Sequence, residues 1–119
     1  MASPNVANLS IVTGKTEVLA VTTTPTNVVT NSASSGKVYK VNMLTIANVD
    51  GTNAADITAS FYRNSVEYAF VSTVSVPADA SLVVLSKETG VYLEEGDAIR
   101  LTASADNDLV AVCSYEDIS

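Results

Sequence analysis

The sequence contains no histidine, no tryptophan and a single cysteine among its 119 residues. Histidine is the side chain that most often transfers protons near neutral pH and is the commonest metal ligand, so its absence argues against both kinds of site. The lone Cys113 cannot form an internal disulfide, so stability has to come from packing or from a partner subunit. We therefore expect a protein that is not an enzyme and needs no cofactor.

Basic residues and long apolar runs are also scarce. Six Lys and Arg stand against thirteen Asp and Glu, for a formal net charge of −7, and the basic residues are scattered along the chain. Such a surface repels phosphate backbones, so we predict no nucleic-acid partner. The longest apolar runs, at 82–85 and 109–113, are too short to span a bilayer, so no membrane partner is predicted. The first ten residues lack a basic start and an apolar stretch, which predicts a cytoplasmic chain.

What the sequence has in quantity is small and β-branched apolar residues, within a hydrophobic fraction of 47%. These residues favour pleated, half-buried strands. Beyond residue 36, polar turns separate strand-like segments at 38–49, 56–63, 67–76, 81–86, 91–93, 98–105 and 109–118. The pattern predicts an all-β fold, a single antiparallel β-sandwich of the jelly-roll or immunoglobulin-like Greek-key type.

Alternation within these segments predicts which side chains form the core. In 56–63, Ile57, Ala59 and Phe61 face one way and the polar residues between them face the other, as in a sheet with one buried face. The same reasoning places twelve residues in the core: Val41, Met43, Ile57, Phe61, Phe70, Val74, Leu82, Val84, Ile99, Leu101, Val110 and Val112.

The first 36 residues differ from the rest because they are rich in Thr and Ser and hold few large apolar side chains. Strand-like stretches at 16–24 and 26–30 flank Pro25, and a small polar loop follows at 31–36. We interpret 1–36 as an N-terminal arm with edge strands and 37–119 as the sandwich core. The arm either pairs with a neighbouring subunit or supplies ordinary strands to the same sandwich.

Candidate interface residues follow from this division. Five apolar residues of the arm are suited to adding strands to an available edge: Val18, Leu19, Val21, Val28 and Val29. Tyr62 alternates with Phe61 and so lies on the polar face of its strand, where a tyrosine either serves an interface or is simply exposed. We expect a homo-oligomer or a unit bound in a lattice.

Acidic turns are the remaining places for chemistry. The turn 106–108 (Asp-Asn-Asp) and the pair Asp50 and Asp56 offer oxygen ligands for Ca²⁺, but Asp and Asn are also the residues that tight turns favour. The acids of 94–97 (Glu-Glu-Gly-Asp) lie on one turn without a partner carboxylate across a cleft, which does not fit glycoside hydrolysis. With no histidine to activate it, Cys113 is expected to be a small buried hydrophobe. We predict no catalytic and no metal-binding residues.

Four segments carry a resemblance to a known class of protein: GKVYKVNMLTIANVDGTNAADITASFYRN, VPADASLVV, YLEEGDAIRLTASA and VCSYEDIS. Through them, residues 36–119 resemble small virion structural proteins of tailed bacteriophages, especially those of cyanobacteria. The resemblance implies a β-sandwich that coats capsids or sits at necks, tails or fibres. It also implies a place in the virion, assembled in the host cytoplasm, with the major capsid protein or another virion protein as partner.

The leading functional hypothesis is a capsid decoration (cement) protein that bridges major capsid subunits. A neck, tail or fibre component is the alternative within the same class. A carbohydrate-binding module, from a different class, would share the fold but should show exposed Trp or stacked Tyr.

Overall fold

The computed structural model describes residues 11–119, which form nine β-strands and one turn of 3₁₀ helix at Lys87–Thr89. The strands are β1 (Val12–Ala20), β2 (Thr26–Thr30), β3 (Val38–Asn48), β4 (Ala55–Arg63), β5 (Val66–Val76), β6 (Ser81–Leu85), β7 (Val91–Leu93), β8 (Ala98–Ala103) and β9 (Leu109–Ile118). None of the described residues belongs to a helix long and apolar enough to cross a bilayer. The predicted all-β fold is confirmed.

The strands form two antiparallel sheets that pack face to face. Sheet 1 has the order β1-β9-β3-β6, with the short β7 also paired to β3, and sheet 2 has the order β2-β8-β4-β5. Apart from β7, each sheet therefore contains four strands, and the chain passes from one sheet to the other at most of its connections. This strand order is that of a jelly roll. Of the two predicted arrangements, jelly roll and immunoglobulin-like Greek key, the chain therefore forms the jelly roll.

Strands β4 and β5 are joined by a tight hairpin. Arg63 pairs with Val66, and the two residues between them, Asn64 and Ser65, have φ angles of 52° and 62°. Two consecutive left-handed residues are what a two-residue hairpin turn requires. The Asp50-Gly51 pair lies in the longer loop that carries the chain from β3 in sheet 1 to β4 in sheet 2.

The hydrophobic core lies between the two sheets and draws side chains from both. Its largest fully buried apolar residues are Leu44, Ile46, Ile57, Leu93, Ile99, Leu101, Leu109, Val21, Val41 and Val76. Four of the twelve predicted core residues are buried there: Val41, Ile57, Ile99 and Leu101. Five more are half-buried against the core: Phe61, Phe70, Val74, Leu82 and Val84.

The other three predicted core residues, Met43, Val110 and Val112, lie outside the core. In β9 the buried side chains are the alternate ones, Leu109, Ala111, Cys113 and Tyr115, so Val110 and Val112 face outwards. In β3 a break in register between Val41 and Met43 shifts the alternation, because a bulge inserts one residue and reverses the faces beyond it. All three residues therefore lie on the outer face of sheet 1.

The described part of the predicted arm supplies edge strands to both sheets. β1 pairs with β9 at one edge of sheet 1, and β2 pairs with β8 at one edge of sheet 2. Residues 1–10 of the predicted arm lie outside the described residues. From residue 11 to residue 36, the chain thus forms ordinary strands of the same sandwich.

Candidate interaction surface

The acidic turn between β7 and β8 is fixed by an ion pair between the buried Asp97 and the partly exposed Arg63. Asp97 has an exposed fraction of 0% and accepts hydrogen bonds from Nε and Nη2 of Arg63, at 2.8 and 2.6 Å, and from the backbone N–H of Glu94, at 2.8 Å. Arg63 also donates to the exposed carboxylate of Glu94 at 2.8 Å. The bond to Asp97 raises the pKa of the Arg63 guanidinium. These contacts clamp the end of β4 to the turn.

The same turn is joined to the β2–β3 loop. Glu95 is almost fully buried and accepts the backbone N–H of Gly36 at 2.6 Å, while the backbone N–H of Gly96 donates to the carbonyl of Asn31 at 2.7 Å. The side-chain amide of Asn31 donates to the carbonyls of Lys37 and Leu93. The carboxylates at 95 and 97 thus hold three chain segments together from the inside, and they do not line a cleft.

A second ion-pair network lies where β1 and β9 meet. The nearly buried carboxylate of Asp117 accepts hydrogen bonds from the ammonium groups of Lys15, at 2.9 Å, and Lys37, at 3.3 Å. Burial by itself raises the pKa of Asp117, but the two lysines outweigh it and the net effect is a lowered pKa. The network stabilises the attachment of β1 to the sheet.

The two loops considered for Ca²⁺ use their carboxylates for backbone contacts. Asp50 accepts the N–H groups of Thr52 and Asn53, which lowers the pKa of Asp50, and Asp106 accepts the N–H of Thr23 at 2.9 Å. Partial burial and the nearby charge of Asp50 raise the pKa of Asp108. Across residues 11–119, no three or more carboxylates or thiols converge as metal ligands would. Turn chemistry accounts for both loops.

Cys113 is buried between the sheets. Burial, with a smaller contribution from the charge of Glu17, raises the pKa of its thiol to about 12. A thiol that stays protonated is a poor nucleophile. Cys113 is thus the small buried hydrophobe that the sequence predicts.

The outer face of sheet 1 is the surface that stands out. Strand pairing aligns its side chains in rows across the sheet, and the first row consists of Val18, Val112, Thr45 and Val83. The rows on either side are Ala20, Val110, Ala47 and Ser81, and Thr16, Ser114 and Met43. Beyond the row of Thr16, Ser114 and Met43, the next row is charged, with Glu116 and Lys40. At the other end, Asp108 precedes β9. This uncharged area, the three-row face, contains the three residues that the sequence misplaced in the core.

The size of the three-row face follows from sheet geometry. Strands lie about 4.8 Å apart and each residue advances about 3.4 Å, so the face covers about 20 Å by 20 Å. Val18 and Val83 are its exposed large apolar members, at 68% and 60%. A specific interface buries about 800 Å² on each partner, so an area of about 400 Å² matches the charge-depleted centre of such an interface.

The outer face of sheet 2 is polar by comparison. Tyr62 is half-buried there, and the guanidinium of Arg100 lies 3.6 Å from the centroid of its ring. Arg100 in turn donates to the side-chain oxygen of Asn27 at 2.9 Å. One side of the Tyr62 ring is therefore already covered within the chain.

The six predicted interface residues are divided between surface and core. Val18 lies on the three-row face, and Leu19 is half-buried against the core. Val21, Val28 and Val29 are buried, with exposed fractions of 0 to 7%, because they fill the space between the sheets. These three side chains present no surface to a partner, which corrects their placement. An interface role for Val18, Leu19 and Tyr62 stays a prediction.

No protein-family model matches the chain, and no curated protein matches it. Among solved structures, a chain from a study of Bacillus endospore appendages, described as disulfide-linked pili, is similar at a TM-score of 0.52 and 14% identity, covering 90% of this chain and 85% of that chain. A chain of the acid-stable capsid of Helicobacter pylori bacteriophage KHP30 is similar at a TM-score of 0.51 and 8% identity, covering 94% and 90%. At such identities the likeness shows a shared fold.

Proposed function

We propose that this chain is a structural protein of a phage virion and that it attaches to a neighbouring virion protein through the three-row face. The observation that carries the proposal is that this face bears no charge on a chain whose net charge is −7. Depletion of charge with a polar rim is the pattern of a protein interface. Its place in the virion, on this proposal, is the outer surface of the head, as a decoration protein that bridges major capsid subunits.

The composition of the two sheets supports this use of sheet 1. An ordinary two-layer sandwich buries one face of each sheet and exposes a polar one. Sheet 2 follows that rule, whereas sheet 1 carries apolar side chains on both faces of its central strand β9, with Leu109 and Ala111 facing inwards and Val110 and Val112 facing outwards. The outer valines are in contact with water unless another protein covers them, and an exposed patch of this size is often a functional one.

Two further observations favour a structural role over chemistry. The acidic turn and Asp117 are occupied by contacts within the chain. The fold is shared with a chain of a phage capsid, and the sequence resembles small virion proteins. The disulfide linkage named for the spore appendages does not suit this chain, because its only cysteine is buried.

A neck, tail or fibre component is the alternative, and the similarity to a filament-forming appendage protein favours it. A carbohydrate-binding module has less support. The exposed tyrosines of this chain, Tyr68 at 57% and Tyr92 at 48%, lie on strands of different sheets and so form no common platform for a sugar.

Matched lysine substitutions on the two outer faces test the proposal. Thr45→Lys places a charge in the middle of the three-row face, whereas Thr102→Lys places the same charge on the outer face of sheet 2. Particles depleted of the protein, from the phage that encodes it, are incubated with each variant and pelleted. We expect Thr45→Lys to weaken binding at least about tenfold, since an unpaired charge is desolvated, and Thr102→Lys to bind like the unmodified chain.

Immunogold labelling of intact particles with antibody against the chain then gives the location. Label over the head agrees with a decoration protein, and label at the neck or tail selects the alternative. Equal binding of both variants would contradict attachment through the three-row face. Absence of label from every part of the particle refutes the virion assignment.

A further inference from the structure

The edge of sheet 1 formed by β1 is the most regular edge of the described molecule. The opposite edge strand of that sheet, β6, has five residues and a break in register, and so does β2 in sheet 2. β5 is long, but its pairing with β4 is broken twice and Thr73 has a φ of 53°. Bulges and short strands are how proteins protect edges from pairing with other chains. β1 pairs with β9 over all nine of its residues without interruption.

The backbone of β1 is also ready to pair on its open side. Ile11 exchanges two hydrogen bonds with Ser119, and the N–H of Val21 donates to the carbonyl of Leu109. In an antiparallel pair these bonded positions alternate, so the odd-numbered residues of β1 bond to β9. The N–H and C=O groups of the even-numbered residues, from Val12 to Ala20, therefore point away from the sheet.

We propose that two copies of this chain associate through β1, antiparallel about a two-fold axis at Thr16, so that Lys15 of each copy lies opposite Glu17 of the other. Thr16 is the middle residue of β1, so this register overlaps the whole strand. Five outward-pointing residues on each copy then exchange about ten backbone hydrogen bonds. The two copies of sheet 1 become one continuous sheet.

Charge selects this register over its neighbours. One copy of β1 can slide along the other only in steps of two residues. A step of one residue would place the outward-pointing N–H and C=O groups of one copy opposite residues of the other copy whose backbone groups already bond to β9. A step of two residues in one direction places Lys15 of one copy opposite Lys15 of the other. A step of two residues in the other direction places Glu17 opposite Glu17. Only the full-length register places opposite charges across from one another, and like charges directly opposite are destabilising.

The two side chains are available for this contact. Both lie on β1 at exposed positions, and Glu17 forms no ion pair with another described residue. Lys15 already donates to Asp117, but its ammonium carries three donors and its side chain is 43% exposed. Lys15 and Glu17 fall at positions where the backbones do not bond, which brings opposite side chains closest.

Charge reversal with a mixing experiment tests the register. Lys15→Glu alone puts two carboxylates opposite each other at both contacts, and Glu17→Lys alone does the same with two ammonium groups. We expect each variant to raise the dissociation constant of the dimer at least about tenfold in sedimentation velocity. An equimolar mixture of the two variants restores opposite charges at both contacts and should associate like the unmodified chain.

Glu67→Lys is the matched control, because it makes the same charge change on the exposed edge strand β5 of sheet 2 and should leave association unchanged. If the loss of the Asp117 contact unfolds Lys15→Glu, Glu17→Lys alone still tests the register, since high salt should restore its association.

An unmodified chain that stays monomeric at the highest concentration overturns the pairing. So does a mixture that fails to recover, or a control as weakened as Glu17→Lys. None of these measurements involves virions, so the pairing and the proposed attachment stand or fall separately.

Discussion

Replacing Arg63 with methionine tests whether the ion pair at Asp97 holds the fold. The Asp97 carboxylate has an exposed fraction of 0% and would keep only the Glu94 N–H of its three donors. Hydrogen bonds to charged groups contribute about 1.5–3 kcal/mol each, so the two lost bonds correspond to about 3–6 kcal/mol. The Arg63 side chain is 36% exposed, so water can reach the vacated side and recover part of this. We expect a loss of about 2–4 kcal/mol in the free energy of unfolding.

Urea unfolding of the variant and two controls measures this loss. Arg63→Lys keeps the charge but cannot supply two donors in a fixed plane, so it should fall between Arg63→Met and the unmodified chain. Glu94→Gln affects only the carboxylate that is 50% exposed, and should cost less than about 0.5 kcal/mol. A loss below about 1 kcal/mol in Arg63→Met, with an unchanged urea slope, would refute the reasoning and show that Asp97 is solvated or held by other donors.

Three other predictions concern single sites. The thiol of Cys113, whose pKa is raised to about 12, should resist a thiol-specific reagent in the folded chain and react fully in urea; fast labelling of the native chain would contradict the burial. Gly90→Ala should lower the melting temperature because its methyl group would collide with the backbone carbonyl of Val41, whereas Gly14→Ala has open space and should be nearly neutral; equal melting temperatures would contradict this contact. Asp117→Asn should cost stability at about pH 7 and progressively less as the pH is lowered: the lowered pKa of this group stabilises the fold above its unfolded value of about 3.9, and the gain is lost as pH falls through the folded pKa. A deficit in urea unfolding that does not shrink as the pH is lowered would contradict the assignment.

Strand positions were predictable from the sequence because turns of Asp, Asn and Gly separate segments of β-branched residues. Which face of β9 is buried could not be predicted from the sequence. Val110 and Val112 alternate with Leu109 and Ala111, so both faces of the strand are apolar and the period of two gives no preference between them. In β3 the bulge reverses the faces between Val41 and Met43, and such an inserted residue leaves no mark in the composition of the strand.

The surfaces were predictable to a smaller degree. Val18 is exposed, as expected of an interface candidate, but the arm valines at 21, 28 and 29 are core residues because β1 and β2 belong to the two facing sheets. The three-row face was missed because it combines strands from distant parts of the chain, and strand order cannot be derived from periodicity. The partner of the acidic turn, Arg63, was missed for the same reason: β4 and the β7–β8 turn meet only in the folded chain.

The central place of β9 in sheet 1 has a consequence for how the chain acquires its structure. β9 separates β1 from β3, pairing Val12 with Ile118 on one side and Asn48 with Leu109 on the other. During synthesis, β1 therefore has no strand partner until β9 leaves the ribosome, whereas β3 can already pair with β6 and β7 and the β4–β5 hairpin can already form. Such long-range pairing slows folding to milliseconds or seconds. Over that interval the apolar strands of sheet 1 are open to wrong partners, a hazard that grows with the concentration of newly made chains.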